Sequence, residues 1–454
     1  MLLGVGAIVG TGIYTLIGVG AAKAGPAVIL SFAIAGSVCA CAALAYAELA
    51  TIMPASGSAY TYSYASMGEL VAWVIGWALI LEYSVVCSAV AVGWSGYAVG
   101  FLKGGGVDLP TLLTAGPGAD WIAHFFAQFG LHLPPAAETP SGLINLPAIL
   151  VVALVASLLL VGTRESANVN SVLVVVKIVA LAAFVALTLP AFDPVNFSPF
   201  MPNGFLPTSD ERGVMAAAAI IFFAFYGFDA VSTAAEETKD PGRNLAVGII
   251  GSMLACTAIY MIVTAAAIGA MSVNDFSQSS EPLSFILRTL GHPGAAGLIA
   301  GAAVIALPTV ILAFMFGQSR IFFVMARDGL LPRKLGKVHE KSGAPVAMTI
   351  LTAVVCSVIA GFVPLADIAA LANAGTLAAF IATAAALLIL RRREPARERP
   401  FKVPAATFVA WAAILGCLYL FYSLPAVTKI LFFVWMALGL GVYFLFARRS
   451  SALA

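Results

Sequence analysis

Apolar residues come in stretches of roughly 20 to 30, separated by short segments rich in charge, Gly or Pro. A helix rises about 1.5 Å per residue, so such a stretch covers the ~30 Å hydrocarbon of a bilayer. Strands of a membrane barrel would be shorter and would alternate in polarity, which these stretches do not. The pattern predicts an all-α integral membrane protein with twelve spans, at 1–24, 27–53, 71–99, 146–162, 168–189, 213–236, 245–271, 294–325, 346–363, 366–390, 405–424 and 427–447. Composition agrees: 61% of the residues are hydrophobic and only 10% charged, with mean hydropathy +1.02, where a soluble domain carries about 25% charged residues.

The net charge of +2 matters less than where the charges sit. With the N-terminus inside, Lys and Arg crowd one side of the predicted membrane: Arg164; Lys239 and Arg243; Arg320, Arg327, Arg333, Lys334, Lys337 and Lys341; Arg391 to Arg393, Arg397, Arg399 and Lys402; and Arg448 and Arg449. The positive-inside rule then places both termini in the cytoplasm. The first span has no basic lead-in and no small-residue cleavage site, so it reads as a retained helix rather than a signal peptide. The basic segments 327–345 and 391–404 read as topology anchors rather than lipid sites, and the outer loop 100–144, with an amphipathic piece at Trp121 to Phe129, as an inert connection. All six cysteines lie in apolar spans without C-x-x-C spacing and read as small packing residues. The four histidines (His124, His132, His292, His339) fall in loops, and no H-E-x-x-H or G-x-S-x-G context occurs, which argues against an intramembrane enzyme. The pattern calls for no metal, organic cofactor or nucleic acid.

Two spans carry their own interruptions. In the first, "GAIVGTGIY" (6–14) places Gly6, Gly10 and Gly12 in an apolar run; in the sixth, "FYGFDA" (225–230) places Gly227 and Asp229. Irregular backbone is tolerated at membrane depth only where protein or a water-lined cavity satisfies it. Broken helices at matching positions of two halves point to an inverted-repeat transporter with its site at the midplane, which suits alternating access better than a channel. Glycine lets the chain leave helical geometry and lets a ligand approach, and the amides at the start of the outer half-helix suit a carboxylate. Gly6 and Gly10 also form a G-x-x-x-G pair, whose alternative role is close helix packing.

"GAIVGTGIY", "AYAELATIMPASGSAYTYSYASMGELVAWVIGWALILEY" (45–83), "FFAFYGFDAVSTAAEETKDPGRN" (222–244) and "GQSRIFFVMARDGLLP" (317–332) together resemble the amino acid–polyamine–organocation transporters. Within them the chain is most similar to the bacterial homologues of the cationic amino acid transporters. The resemblance implies a LeuT-like fold: a first inverted repeat at 1–189, a second at 213–390, two additional helices at 405–447, and discontinuous first and sixth helices. It places the substrate carboxylate on the amides of Thr11, Gly12 and Ile13, and the ammonium on carbonyls near Ile8 and around Phe222, Phe223 and Phe225. Phe223 would be the aromatic cover, with Gly10, Gly227 and Asp229 shaping the breaks. Family members usually have a longer inner half of the first helix, whereas nine residues precede Gly10; a missing native start and a shortened inner gate are the two alternatives.

Lys177, in "SVLVVVKIVALAAF", stands deep in the fifth span. A lysine near the bilayer centre costs at least ~2.5 kcal/mol on insertion scales, so it needs a partner or a function. The resemblance sets it where sodium-coupled relatives hold sodium, and so implies proton rather than sodium coupling, with Lys177 bridging the fifth helix to carbonyls of the first and eighth. A buried lysine can titrate between two conformations that hydrate it differently. Glu82, in "LILEYS", is by the same resemblance expected to steady Thr11 or join the proton path, with a hydrogen-bonded structural role as the alternative. Asp229 reads first as an N-cap, and Glu236, Glu237, Lys239, Asp240, Arg243, Arg320, Arg327 and Asp328 as a solvated inner face rather than a gate. Leu307 and Thr309 fall where family members tune pocket size, with no carboxylate there for a cationic side chain. The expected function is import of small neutral L-amino acids such as alanine by proton symport. The alternative is a cationic amino acid or polyamine transporter or exchanger without obligatory proton coupling. The implied location is a bacterial plasma membrane, and the implied partners are the amino acid, the bilayer and, optionally, a small accessory membrane helix.

Overall fold

A computed structural model describes residues 2–54, 57–117, 128, 142–161, 167–233, 238, 240–332 and 346–448 as an almost wholly helical chain. The first predicted span is three helices, α1 (Leu2–Ile8), α2 (Thr11–Tyr14) and α3 (Leu16–Ala24). There follow α4 (Val28–Ile52), α5 (Ser58–Met67), α6 (Glu69–Gly104), α7 (Leu146–Val161) and α8 (Ala167–Thr188). The sixth predicted span is α9 (Val214–Ile221), a tight 3-10 turn at Phe222–Phe225, and α10 (Ala230–Thr233). The chain continues through α11 (Pro241–Ala270), α12 (Pro282–Thr289), α13 (Pro293–Arg327), α14 (Val346–Phe362), α15 (Leu365–Arg393), α16 (Ala406–Tyr422) and α17 (Ala426–Val442).

Among the described residues, seven helical stretches are long and apolar enough to cross a membrane, and four shorter apolar ones accompany them. One of the seven, Leu16–Ile52, covers parts of two predicted spans. A 3-10 turn at Gly25–Ala27 joins them, and α3 packs back on α4. Gly25 makes that corner possible, because its φ of +65° is a left-handed conformation that side chains disfavour.

The centre of the molecule is α6, buried along most of its length and packed against α13, α15, α7 and α14. Near one end Trp77 stacks on Trp435 of α17 at 4.8 Å between ring centroids. The Trp73 and Trp77 indoles donate to the carbonyls of Gly439 (2.8 Å) and Trp435 (2.9 Å), so neither buried N–H is wasted. Peripheral helices keep an apolar stripe outward; Leu150, Leu154 and Leu158 of α7, at helical spacing, are all exposed.

At the basic end of the molecule the structure adds something that the sequence reading lacked. Glu48, fully buried near the end of α4, accepts from Arg391 Nε (2.9 Å), Arg399 Nε (3.1 Å) and the Val403 amide (2.7 Å). A buried carboxylate is costly unless it is paired and hydrogen-bonded. The segment 391–404, expected only to anchor topology, is thus fastened into the fold. Arg164, Glu236, Glu237, Lys239, residues 333–341 and the Trp121 to Phe129 piece except Gln128 lie outside the described residues.

Candidate functional site

The first break opens at Val9 and Gly10. Val9 still donates to the Val5 carbonyl (2.8 Å), while Gly10 is extended at φ −146° and ψ −149° before α2 begins. The amides of Thr11, Gly12 and Ile13 therefore start a helix with no preceding turn to accept them, and no side chain caps them. Gly10 is extended backbone, and a Cβ there would only touch Val310 at 3.5 Å. Gly12 is helical, and its smallness serves a crossing: a Cβ would run into Ala224 of the 3-10 turn. The reciprocal crossing is at Gly227, with φ +109°, where a Cβ would lie 2.6 Å from the Ala7 carbonyl carbon. The two interrupted helices therefore touch at two glycines.

In the sixth span α9 gives way to the 3-10 turn, Tyr226 is extended at ψ +150°, and Asp229 directly precedes α10. The Gly227 amide donates to Asp229 Oδ1 (3.2 Å), which steadies the turn. Asn373 of α15 reaches this break: its Nδ2 donates to the carbonyls of Ala219 (2.6 Å) and Ile220 (3.0 Å), and Tyr226 Oη donates to its Oδ1 (2.5 Å).

Around the first break three side chains from three helices grip the backbone. Lys177 of α8, 1% exposed, donates from Nζ to the Gly6 carbonyl (3.0 Å). Tyr260 of α11 donates to the Ile8 carbonyl (2.8 Å), and Tyr97 of α6 to that of Tyr14 (2.6 Å). Tyr14 Oη in turn lies 3.4 Å from the Lys177 carbonyl. The Ile8 carbonyl, a candidate for the substrate ammonium, thus already accepts one hydrogen bond, and its second lone pair remains. Tyr97, Tyr260 and Asn373 were not singled out by the sequence, since isolated uncharged polar residues are ordinary in membrane helices.

Glu82 is buried in α6 but is not brought to Thr11. It lies by α15, where a Cβ on Gly375 would be 3.3 Å from the Glu82 Cβ; Thr376 donates to the Ala372 carbonyl (3.3 Å), and Glu82 Oε2 is buried without a hydrogen-bond partner. Thr11 instead packs on Gly93, about 16 Å farther along α6 by helical rise. Thr11 Oγ1 is buried without a hydrogen-bond partner. Phe222 and Phe225 are fully buried, Phe225 among Phe32 and Tyr260; Phe223 leans on the Tyr226 ring at 5.0 Å. Leu307 is buried. Thr309 is not: it shares a side of α13 with the exposed Ile305 and Phe316 and donates back to the Ala306 carbonyl (2.7 Å). Val310, which faces Gly10, stands where Thr309 was expected.

Two polar contacts lie beyond the breaks, one towards each end of the molecule. At the basic end Tyr60 Oη donates to Asp328 Oδ2 (2.8 Å), and burial, then Asp328, raises the Tyr60 pKa. At the other end Glu281, paired with Arg288, lies against α6 at Gly100. Burial raises the Glu281 carboxyl above its ordinary value, against the opposing charges of Arg288 and Lys103.

Crossed, interrupted helices inside a shell of apolar helices define a multi-pass membrane transport protein. The family model described as amino acid permease matches residues 1–445, and the chain belongs to that family. It is 44% identical to a branched-chain amino acid permease, BcaP, of Bacillus subtilis (strain 168), over 100% of this chain and 92% of that one. It is 41% identical to a methylthioribose transporter of the same organism, over 100% and 93% of the two chains. Cationic amino acid transporter 3, mitochondrial, of Arabidopsis thaliana is 36% identical over 88% of this chain and 62% of its own length. The resemblance drawn from the motifs therefore holds, and transport rather than catalysis is the activity of the class.

Proposed function

We propose that the protein imports a neutral aliphatic L-amino acid together with a proton by alternating access, with twelve spans in a LeuT-like arrangement and cytoplasmic termini. The observation that carries this reading is Lys177, buried and bonded to the Gly6 carbonyl just before the first break. Protonated, it braces the first helix to α8. Deprotonated, it loses charge-assisted strength in that bond and favours the other conformation.

The substrate carboxylate binds the amides of Thr11, Gly12 and Ile13, with the unpartnered Thr11 hydroxyl beside them. The ammonium takes the free lone pair of Ile8 and the carbonyls of Phe222, Phe223 and Phe225, while Phe223 covers the site. Leu307 and Val310 give the side-chain pocket an apolar wall, which suits alanine at the small end and leucine or valine at the large end. Two relatives named as branched-chain amino acid permeases support the neutral preference. Glu82, near Thr376 and within electrostatic reach of Asp229, is a proton station away from the substrate. A second reading, transport of methylthioribose, is favoured by the 41% identity to a transporter of that name.

The test is counterflow of labelled L-leucine in sodium-free proteoliposomes, with alanine, valine, arginine, a polyamine and methylthioribose as competitors. Competition by the aliphatic amino acids alone supports the assignment. Competition by arginine or the polyamine alone, or by methylthioribose alone, replaces it.

A further inference from the structure

Asn373 is the one amide side chain of α15, set in the Ala-rich stretch "LADIAALANAGT", and it is fully buried. Its hydrogen-bonding capacity is almost completely used. Both Nδ2 hydrogens go to main-chain carbonyls, those of Ala219 and Ile220, and Oδ1 receives the Tyr226 hydroxyl. The reverse orientation of the amide would set oxygen against two carbonyl oxygens, so the contacts fix which way it points.

The partners explain why an amide stands here. A helix leaves its last carbonyls short of intrahelical donors, and α9 ends at Ile221, so Ala219 and Ile220 fall within that final turn; the Phe222 amide also reaches the Ile220 carbonyl, and Asn373 adds a donor to both. In a membrane interior no bulk water replaces the missing donors. Tyr226 is the first residue beyond the 3-10 turn, so a single side chain of α15 holds the chain on both sides of the break. The segment between these anchors is Phe222–Phe225, whose carbonyls are assigned to the ammonium above; that of Phe223 also accepts from the Tyr226 amide (3.3 Å).

A comparison within the molecule sharpens the point. Lys177 of α8 holds the carbonyl of Gly6 just before the first break, and Asn373 of α15 holds those of Ala219 and Ile220 just before the second. Each strut comes from the fifth predicted span of its half. Only one of the two carries a proton that it can release.

We propose that Asn373 is a positioning residue for the substrate ammonium: its fixed, uncharged strut aims the carbonyls of the Phe222–Phe225 turn at the amino group, while Lys177 supplies the releasable strut on the other broken helix. This rests on the transport reading above. Asn373 takes the last carbonyls of α9 out of competition and leaves the turn carbonyls to the ligand. Tyr226 serves the same purpose from the far side of the break.

The experiment compares an amino acid with the same molecule lacking its amino group. Counterflow of labelled L-leucine gives the KM, and inhibition by 4-methylpentanoate gives the affinity for a ligand with the carboxylate and side chain alone. Asn373→Leu fills the amide's volume without donors. The expected result is a KM for leucine raised at least tenfold with the 4-methylpentanoate inhibition constant unchanged within twofold. Tyr226→Phe, which removes one hydroxyl, should raise the leucine KM about threefold in the same selective way, and it carries the test alone if Asn373→Leu does not fold. Equal loss for both ligands, or an unchanged leucine KM, overturns the proposal. If the wild type does not exchange leucine at all, the substrate assignment fails instead, and the same comparison is made with whichever transported amino acid the competition identifies and its deaminated analogue.

Discussion

Lys177 is the residue whose need for a buried partner was most legible from the sequence, because a cation in an apolar run has few comfortable places in a bilayer. The structure supplies its acceptor, the Gly6 carbonyl. Lys177→Ala is expected to abolish stimulation of uptake by a proton gradient while leaving leucine counterflow within about fivefold of wild type. Equal loss of both would give the lysine a purely structural role. Thr309 shows the opposite case. Leu307 and Thr309 stand two residues apart, about 200° around a helix, so they cannot share a face; Leu307 is buried and Thr309 lies on the outward stripe. Helical phase would have separated them, and it points to Val310 instead. Tyr97, Tyr260 and Asn373 gave no such signal, because their partners are backbone carbonyls far away in the chain.

Glycine marked both interrupted helices in the sequence, but its reasons differ from one position to the next. Gly10 is extended and has room, so Gly10→Ala is expected to yield folded protein in near-normal amounts by fluorescence-detected size-exclusion chromatography. Gly12 and Gly227 sit where the two breaks cross, one against Ala224 and the other against Ala7. Gly12→Val should abolish the folded peak, and Gly227→Ala should reduce it severely, since the added methyl meets backbone and φ +109° is strained for alanine. Comparable yields from all three would show that the crossing is looser than it appears in the structure. Composition alone could not rank these glycines, because close approach is a property of two segments more than 200 residues apart.

At the scale of the whole molecule, hydropathy revealed a multi-pass membrane protein, and the long motifs revealed the family. What they hid was how distant segments are tied together. Glu48 and Arg391 are separated by 343 positions, so no local pattern announces their contact. Arg399→Ala leaves the buried Glu48 carboxylate with fewer donors and is expected to destabilise the protein by about 3 kcal/mol, at the lower end for breaking a buried pair. A thermal midpoint well below that of an Arg392→Ala control checks it, because Arg392 is exposed and should be nearly silent. Other long-range contacts, Tyr60 with Asp328 and Glu281 against α6, were hidden for the same reason. Proton coupling is the step of the account that most needs direct measurement. Proteoliposomes loaded with a pH-sensitive dye, in sodium-free buffer with the membrane potential clamped, would be given external L-leucine. The account predicts acidification of the lumen that follows leucine uptake and disappears in Lys177→Ala; leucine accumulation with no change in internal pH would contradict it.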